Sequence, residues 1–133
     1  MKRLPKSVGC PVELSLNLLG GKWKVVILAR LKEQPLRYAE LRQRIPGMSD
    51  KVLTERLADL QRQGWIERRR DGAGSGQSRY QLTAKGQTLR PVLQKLYEWG
   101  AEQAVAMNVK IRPTVPTEDT VGSARRSLVR ARV

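Results

Sequence analysis

Apolar residues return at three- and four-residue intervals along most of this chain, and the breaks in that rhythm predict its elements. Val12, Leu16 and Leu19 repeat at helical spacing after Pro11, which suits a first helical position because its missing N–H costs nothing there. Gly20-Gly21 ends this short helix. From Lys22 to Lys32, Trp23, Val26, Ile27, Arg30 and Leu31 fall on the i, i+3, i+4 rows of a helix with one apolar face and a basic flank. Pro35 stops it. Leu36 and Arg37 read as a very short strand before a helix from Tyr38 to Ile45, where Leu41 and Ile45 lie four apart.

Pro46-Gly47-Met48 is a tight break between two helical patterns, and Ser49 is a good N-cap for a helix that turns Leu53, Leu57 and Leu60 inward. Helix, short turn, helix is the signature of a helix-turn-helix. Opposite the leucine stripe this second helix, Ser49 to Gln63, carries Lys51, Thr54, Glu55, Ala58 and Arg62, with Ser49 and Asp50 at its tip. Gly64 ends it, as a glycine at C′ commonly does. Two strand-like runs follow, Trp65 to Arg70 and Ser78 to Leu82, joined by the glycine-rich Asp71 to Gln77; they predict a β-hairpin with a mobile tip, a wing. The last helix is expected from Thr83 to about Met107, with Leu89, Val92, Leu93, Leu96 and Trp99 on one stripe and Pro91 kinking or breaking it. Residues 108–133, with Pro113, Pro116, Arg125, Arg126, Arg130 and Arg132, read as a disordered basic tail.

Composition changes this picture in one direction. A chain of 133 residues suits one domain, here residues 10–107 behind an N-terminal arm of residues 1–9. No apolar run is long enough to span a membrane, and MKRLPKSVGCPV lacks the apolar stretch of a secretory signal, so a cytoplasmic protein is expected. Lysine and arginine number 26 against 12 aspartates and glutamates, a net charge of +14 that attracts polyanions. The chain has no histidine and a single cysteine, which leaves it without the usual acid–base residue and without a cysteine pair for zinc. Neither catalysis nor a metal or other cofactor is expected.

On the predicted frame, Ser49, Lys51, Thr54, Glu55 and Arg62 are the side chains a recognition helix offers to a major groove. Arg37 beside it, and Arg68, Arg69, Arg70 and Arg79 on the hairpin stem, suit phosphates or a minor groove. The same arginines would also keep an edge hairpin soluble. Trp23, Trp65 and Trp99 lie on apolar stripes and read as packing residues. Val12, Leu16, Leu89, Val92, Leu93, Leu96 and Trp99 together exceed what one small core can bury, which predicts a homodimer. Cys10 has two readings. A helix N-terminus and nearby Lys6 attract negative charge, and the thiolate is the form that reacts with electrophiles and oxidants, so it suits sensing; as a small apolar residue it suits packing.

The ordered set Cys10-Pro11-Val12, Gly20-Gly21-Lys22-Trp23, Ile27-Leu28, Arg37-Tyr38-Ala39-Glu40-Leu41, Ile45-Pro46-Gly47-Met48-Ser49, Leu53-Thr54, Leu57, Gly64-Trp65-Ile66, Tyr80-Gln81-Leu82-Thr83, Gly86 and Trp99-Gly100 resembles the HxlR-type regulators, relatives of the MarR type. The resemblance covers roughly residues 8–105. It implies a mainly α winged helix-turn-helix with a small β-hairpin wing and N- and C-terminal dimerisation helices. It also implies a cytoplasmic homodimer that binds double-stranded DNA to regulate transcription, with Cys10 at the position through which some members sense electrophiles or oxidants. Two features depart from the family pattern: the glycine-rich hairpin tip with Arg79 before Tyr80, and the basic tail. The competing reading is a winged-helix adaptor that binds protein or RNA without preference among duplex sequences.

Overall fold

The computed structural model describes residues 3–70 and 77–112. The hairpin tip and the basic tail named above lie almost wholly outside the described residues. The element order is α1 (Pro11–Leu19), α2 (Lys22–Glu33), α3 (Tyr38–Arg44), α4 (Asp50–Arg62), β1 (Ile66–Arg70), β2 (Ser78–Leu82), α5 (Ala84–Gln87) and α6 (Arg90–Ala106). It is a mainly helical fold with one antiparallel hairpin, as the periodicity and the glycine-rich connection predict.

α2 is the central beam. It buries Ile27, Leu28 and Leu31 and packs against α3, α4, α6 and β2. Leu41 and Ile45 of the α3 region, Met48 of the turn, and Leu53, Leu57 and Leu60 of α4 close the core from one side; Trp65, Ile66, Leu82 and Leu93 close it from the other. Trp23 is half-buried with its ring against Gly47, so it braces the turn between α3 and α4.

The hairpin pairs Ile66 with Leu82 and Arg70 with Ser78 at its two ends. A third edge is only one residue long: Leu36 and Tyr80 exchange both backbone hydrogen bonds, at 3.0 and 2.8 Å. This is the short strand expected at Leu36, and it ties the hairpin to the entry of α3.

At the corner where α4, the hairpin and α5 meet, geometry demands glycine twice. Gly64 has φ +81°, the left-handed turn that lets Trp65 N–H reach back to the Leu60 carbonyl and close α4. At Gly86 a Cβ would overlap the Trp65 carbonyl oxygen, so α5 can lie this close to the hairpin only without a side chain. Thr83 fastens the same corner: its hydroxyl donates to the Gly64 carbonyl at 2.5 Å and accepts from Gly86 N–H at 3.0 Å.

The helix expected from Thr83 to Met107, kinked or broken at Pro91, is two helices, α5 and α6, and the break falls before the proline. Pro91 has no N–H to give the carbonyl four residues back, and the chain turns tightly at Thr88 and Leu89 instead, with bonds to Lys85 and Gly86. Pro91 then sits in the first turn of α6, where that missing donor is no loss.

Candidate nucleic-acid interface

α4 is presented as its sequence dictates. The Ser49 hydroxyl accepts from Val52 N–H at 3.2 Å and caps the helix. Leu53, Leu57 and Leu60 are buried, and Ser49, Asp50, Lys51, Thr54, Glu55 and Ala58 all face outward from an anchored helix. Arg62 is exposed too, but it is ion-paired to Asp59 one turn earlier, and Arg56 reaches the same carboxylate at 3.8 Å. The N-terminal half of α4 is therefore the more open surface.

A cluster of side-chain contacts that periodicity does not reveal joins α3 to the tip of α4. The Asp50 carboxylate accepts from Tyr38 Oη at 2.8 Å and pairs with Arg42 Nε at 2.8 Å, while Arg42 also donates to the Met48 carbonyl. Tyr38 Oη lies 3.4 Å from Thr54 Oγ1. The available signal was Tyr38 and Arg42, four apart on one face of α3, opposite an acid at the tip of the next helix. Arg37 is half-buried at the start of α3, its backbone N–H bonded to Glu40 at 3.0 Å, and so is less open than the α4 face.

The hairpin arginines do not form one patch. Cross-strand partners share a face, so Arg68 and Arg70 lie with Tyr80 and Ser78, and Arg69 and Arg79 lie opposite each other on the other side. Arg68 Nε donates to Ser78 Oγ at 2.6 Å with its guanidinium over the Tyr80 ring. Arg69 pairs with Glu67 at 3.1 Å, and Arg79 is half-buried. Arg70 is exposed at the outer end of β1.

Cys10 is the exposed N-cap of α1, so it is not part of this chain's core. No residue of α1 is buried, and Leu16 is 68 % exposed. On α6, Val92, Leu96 and Trp99 face outward, Trp99 at 62 % exposure. An open apolar groove runs between the two helices, lined by Val12, Leu16, Leu19, Val25, Val92 and Leu96. Two residues expected on this surface are not there. Leu93 is 1 % exposed and belongs to the chain's own core, and Leu89 is half-buried against it, because at 100° per residue they turn toward α2 while Val92 and Leu96 turn away.

Among the described residues no group of three or more histidine, cysteine, aspartate or glutamate side chains could hold a metal ion, and no helix is long and apolar enough to cross a membrane.

The family model described as HxlR-like helix-turn-helix matches residues 18–108. An HTH-type transcriptional regulator of Methanothermobacter thermautotrophicus is 40% identical over 91 residues, 68% of this chain and 70% of its own length. Among solved structures, the redox regulator HypR in its oxidised form superposes with a TM-score of 0.64 at 32% identity, covering 70% of this chain and 96% of HypR. Quinone-bound YodB of Bacillus subtilis superposes with a TM-score of 0.57 at 34% identity, covering 70% and 99%.

Proposed function

The chain belongs to the HxlR-like helix-turn-helix family of transcriptional regulators, which are not enzymes, and on that premise we propose that it is a cytoplasmic homodimer binding double-stranded DNA at specific sequences. One observation carries the reading: α4 is anchored by three buried leucines and capped by Ser49, yet leaves Ser49, Lys51, Thr54 and Glu55 exposed on the opposite face. A helix held on one side and polar on the other fits a major groove, where lysine, threonine and glutamate side chains can meet base edges. The hairpin arginines, Arg70 above all, contact phosphates and contribute affinity rather than sequence preference.

α1 supports the presence of a second copy. A nine-residue helix is marginal in water by itself, and this one has no fully buried residue in its own chain, only Leu18 and Leu19 half-buried against the core. Val12, Leu16, Val92, Leu96 and Trp99 supply the self-complementary apolar surface for a partner, and pairing sets the spacing of two α4 helices.

Cys10 is the residue through which an oxidant or electrophile acts. Its exposure at the edge of the dimerising helix supports this, as does the likeness to HypR and to quinone-bound YodB. Adduct formation there alters α1 and, through the dimer, the separation of the recognition helices. Replacing Cys10 with serine should remove any loss of DNA binding that quinone treatment causes.

Selection of bound duplexes from a randomised pool, at fixed salt and with RNA as competitor, tests the reading. One enriched two-fold symmetric motif supports it. Retention without sequence preference, or preference for RNA, would mean an adaptor.

A further inference from the structure

The Tyr38–Asp50–Thr54 contacts also bear on which base α4 selects, an inference that rests on the reading that this helix contacts base edges. Tyr38 has one hydroxyl proton. Its candidate acceptors are Asp50 Oδ1 at 2.8 Å, the Asp50 carbonyl at 3.3 Å and Thr54 Oγ1 at 3.4 Å. The carboxylate, held in place by Arg42 at 2.8 Å, is both the nearest acceptor and the only charged one, and charge-assisted bonds are roughly twice as strong as neutral ones. The proton therefore goes to Asp50.

Tyr38 Oη is then left with lone pairs facing the Thr54 hydroxyl, whose own proton is the only one that can fill the 3.4 Å gap. Once DNA displaces water, leaving that lone pair unpaired costs free energy, so the Thr54 proton stays directed inward. What Thr54 shows the groove is an acceptor oxygen and a methyl group.

We propose that Tyr38 is a positioning residue which presents the Thr54 hydroxyl to DNA as an acceptor only, so that α4 selects a base with an exocyclic amine, adenine or cytosine, where Thr54 meets the groove. Adenine N6 and cytosine N4 are the major-groove donors; guanine O6 and thymine O4 are acceptors and face an acceptor unfavourably. Without Tyr38 Oη, Thr54 can turn its proton outward and accept either class.

The test selects duplexes from a randomised pool with the full chain, with Y38F and with T54V, each checked by a melting curve. The wild type should fix adenine or cytosine at one position of each half-site. Y38F should admit guanine or thymine at that position, discrimination falling about fivefold or more, while the rest of the motif persists. T54V should relax the same position. A Tyr38 that merely supports the fold would instead lower affinity for all duplexes evenly, and that result, or an unchanged motif in Y38F, overturns the proposal. So does a wild-type guanine or thymine at the position T54V relaxes, which decides the matter even if Y38F does not fold. If the wild type enriches no motif, base reading by α4 itself fails; a wild-type motif that Y38F leaves intact refutes this inference alone.

Discussion

At Gly86 the backbone of α5 meets the carbonyl of Trp65, the buried residue that joins α4 to the hairpin, with no room for a Cβ. Gly86→Ala should therefore destabilise the protein by about 1–3 kcal/mol, the usual cost of overpacking, read as a Tm lowered by several degrees. Lys51 is the opposite case, exposed on α4 and outside the core. Lys51→Ala should leave the melting curve nearly unchanged, yet cost about 1–3 kcal/mol on a selected duplex and much less on random duplex. Equal losses on both would reduce Lys51 to a phosphate contact. Lys51 and its neighbours at the α3–α4 turn differ in how they could be read. The exposure of Lys51 follows from its place opposite a leucine stripe, whereas Tyr38, Arg42 and Asp50 join across a turn, and a pattern that runs along the chain does not say which side chains meet across one.

α4 was legible from end to end because both ends carry their own chemistry, a Ser49 cap and a Gly64 exit. The hairpin was legible from its two runs, and alternation along a strand already sets Arg68 and Arg70 apart from Arg69. Only the observed register places Arg79 with Arg69. Arg70 is exposed at the outer end of β1, so Arg70→Ala should weaken binding to all duplexes alike and reduce the slope of log affinity against log salt by roughly one unit. An unchanged slope with altered sequence preference would mean that the hairpin reads bases. The sequence reads as one last helix kinked or broken at Pro91; the break comes instead at Thr88 and Leu89, so that Pro91 begins α6. Its apolar stripe reads as one surface and is two. Leu89 and Leu93 serve the chain's own core while Val92, Leu96 and Trp99 stay outside, and periodicity marks apolar residues without saying which neighbour each one meets.

For the whole molecule, a net charge of +14 draws any duplex close, and on the proposed reading specificity comes from two correctly spaced recognition helices. In that proposal the exposed apolar faces of α1 and α6 are the means of spacing them. Leu16→Glu places a charge on a side chain that touches little of its own chain, so the fold should persist while sedimentation at micromolar concentration shifts from dimer to monomer. A mutant that stays dimeric would move the interface elsewhere. The most direct test of the account takes the enriched two-fold symmetric duplex and inserts five base pairs at its centre. That is about half a helical turn, and it carries the two half-sites to opposite faces of the DNA. If one dimer sets an α4 helix into each half-site, affinity should fall to that of random duplex at the same salt, and unchanged affinity after the insertion would contradict it.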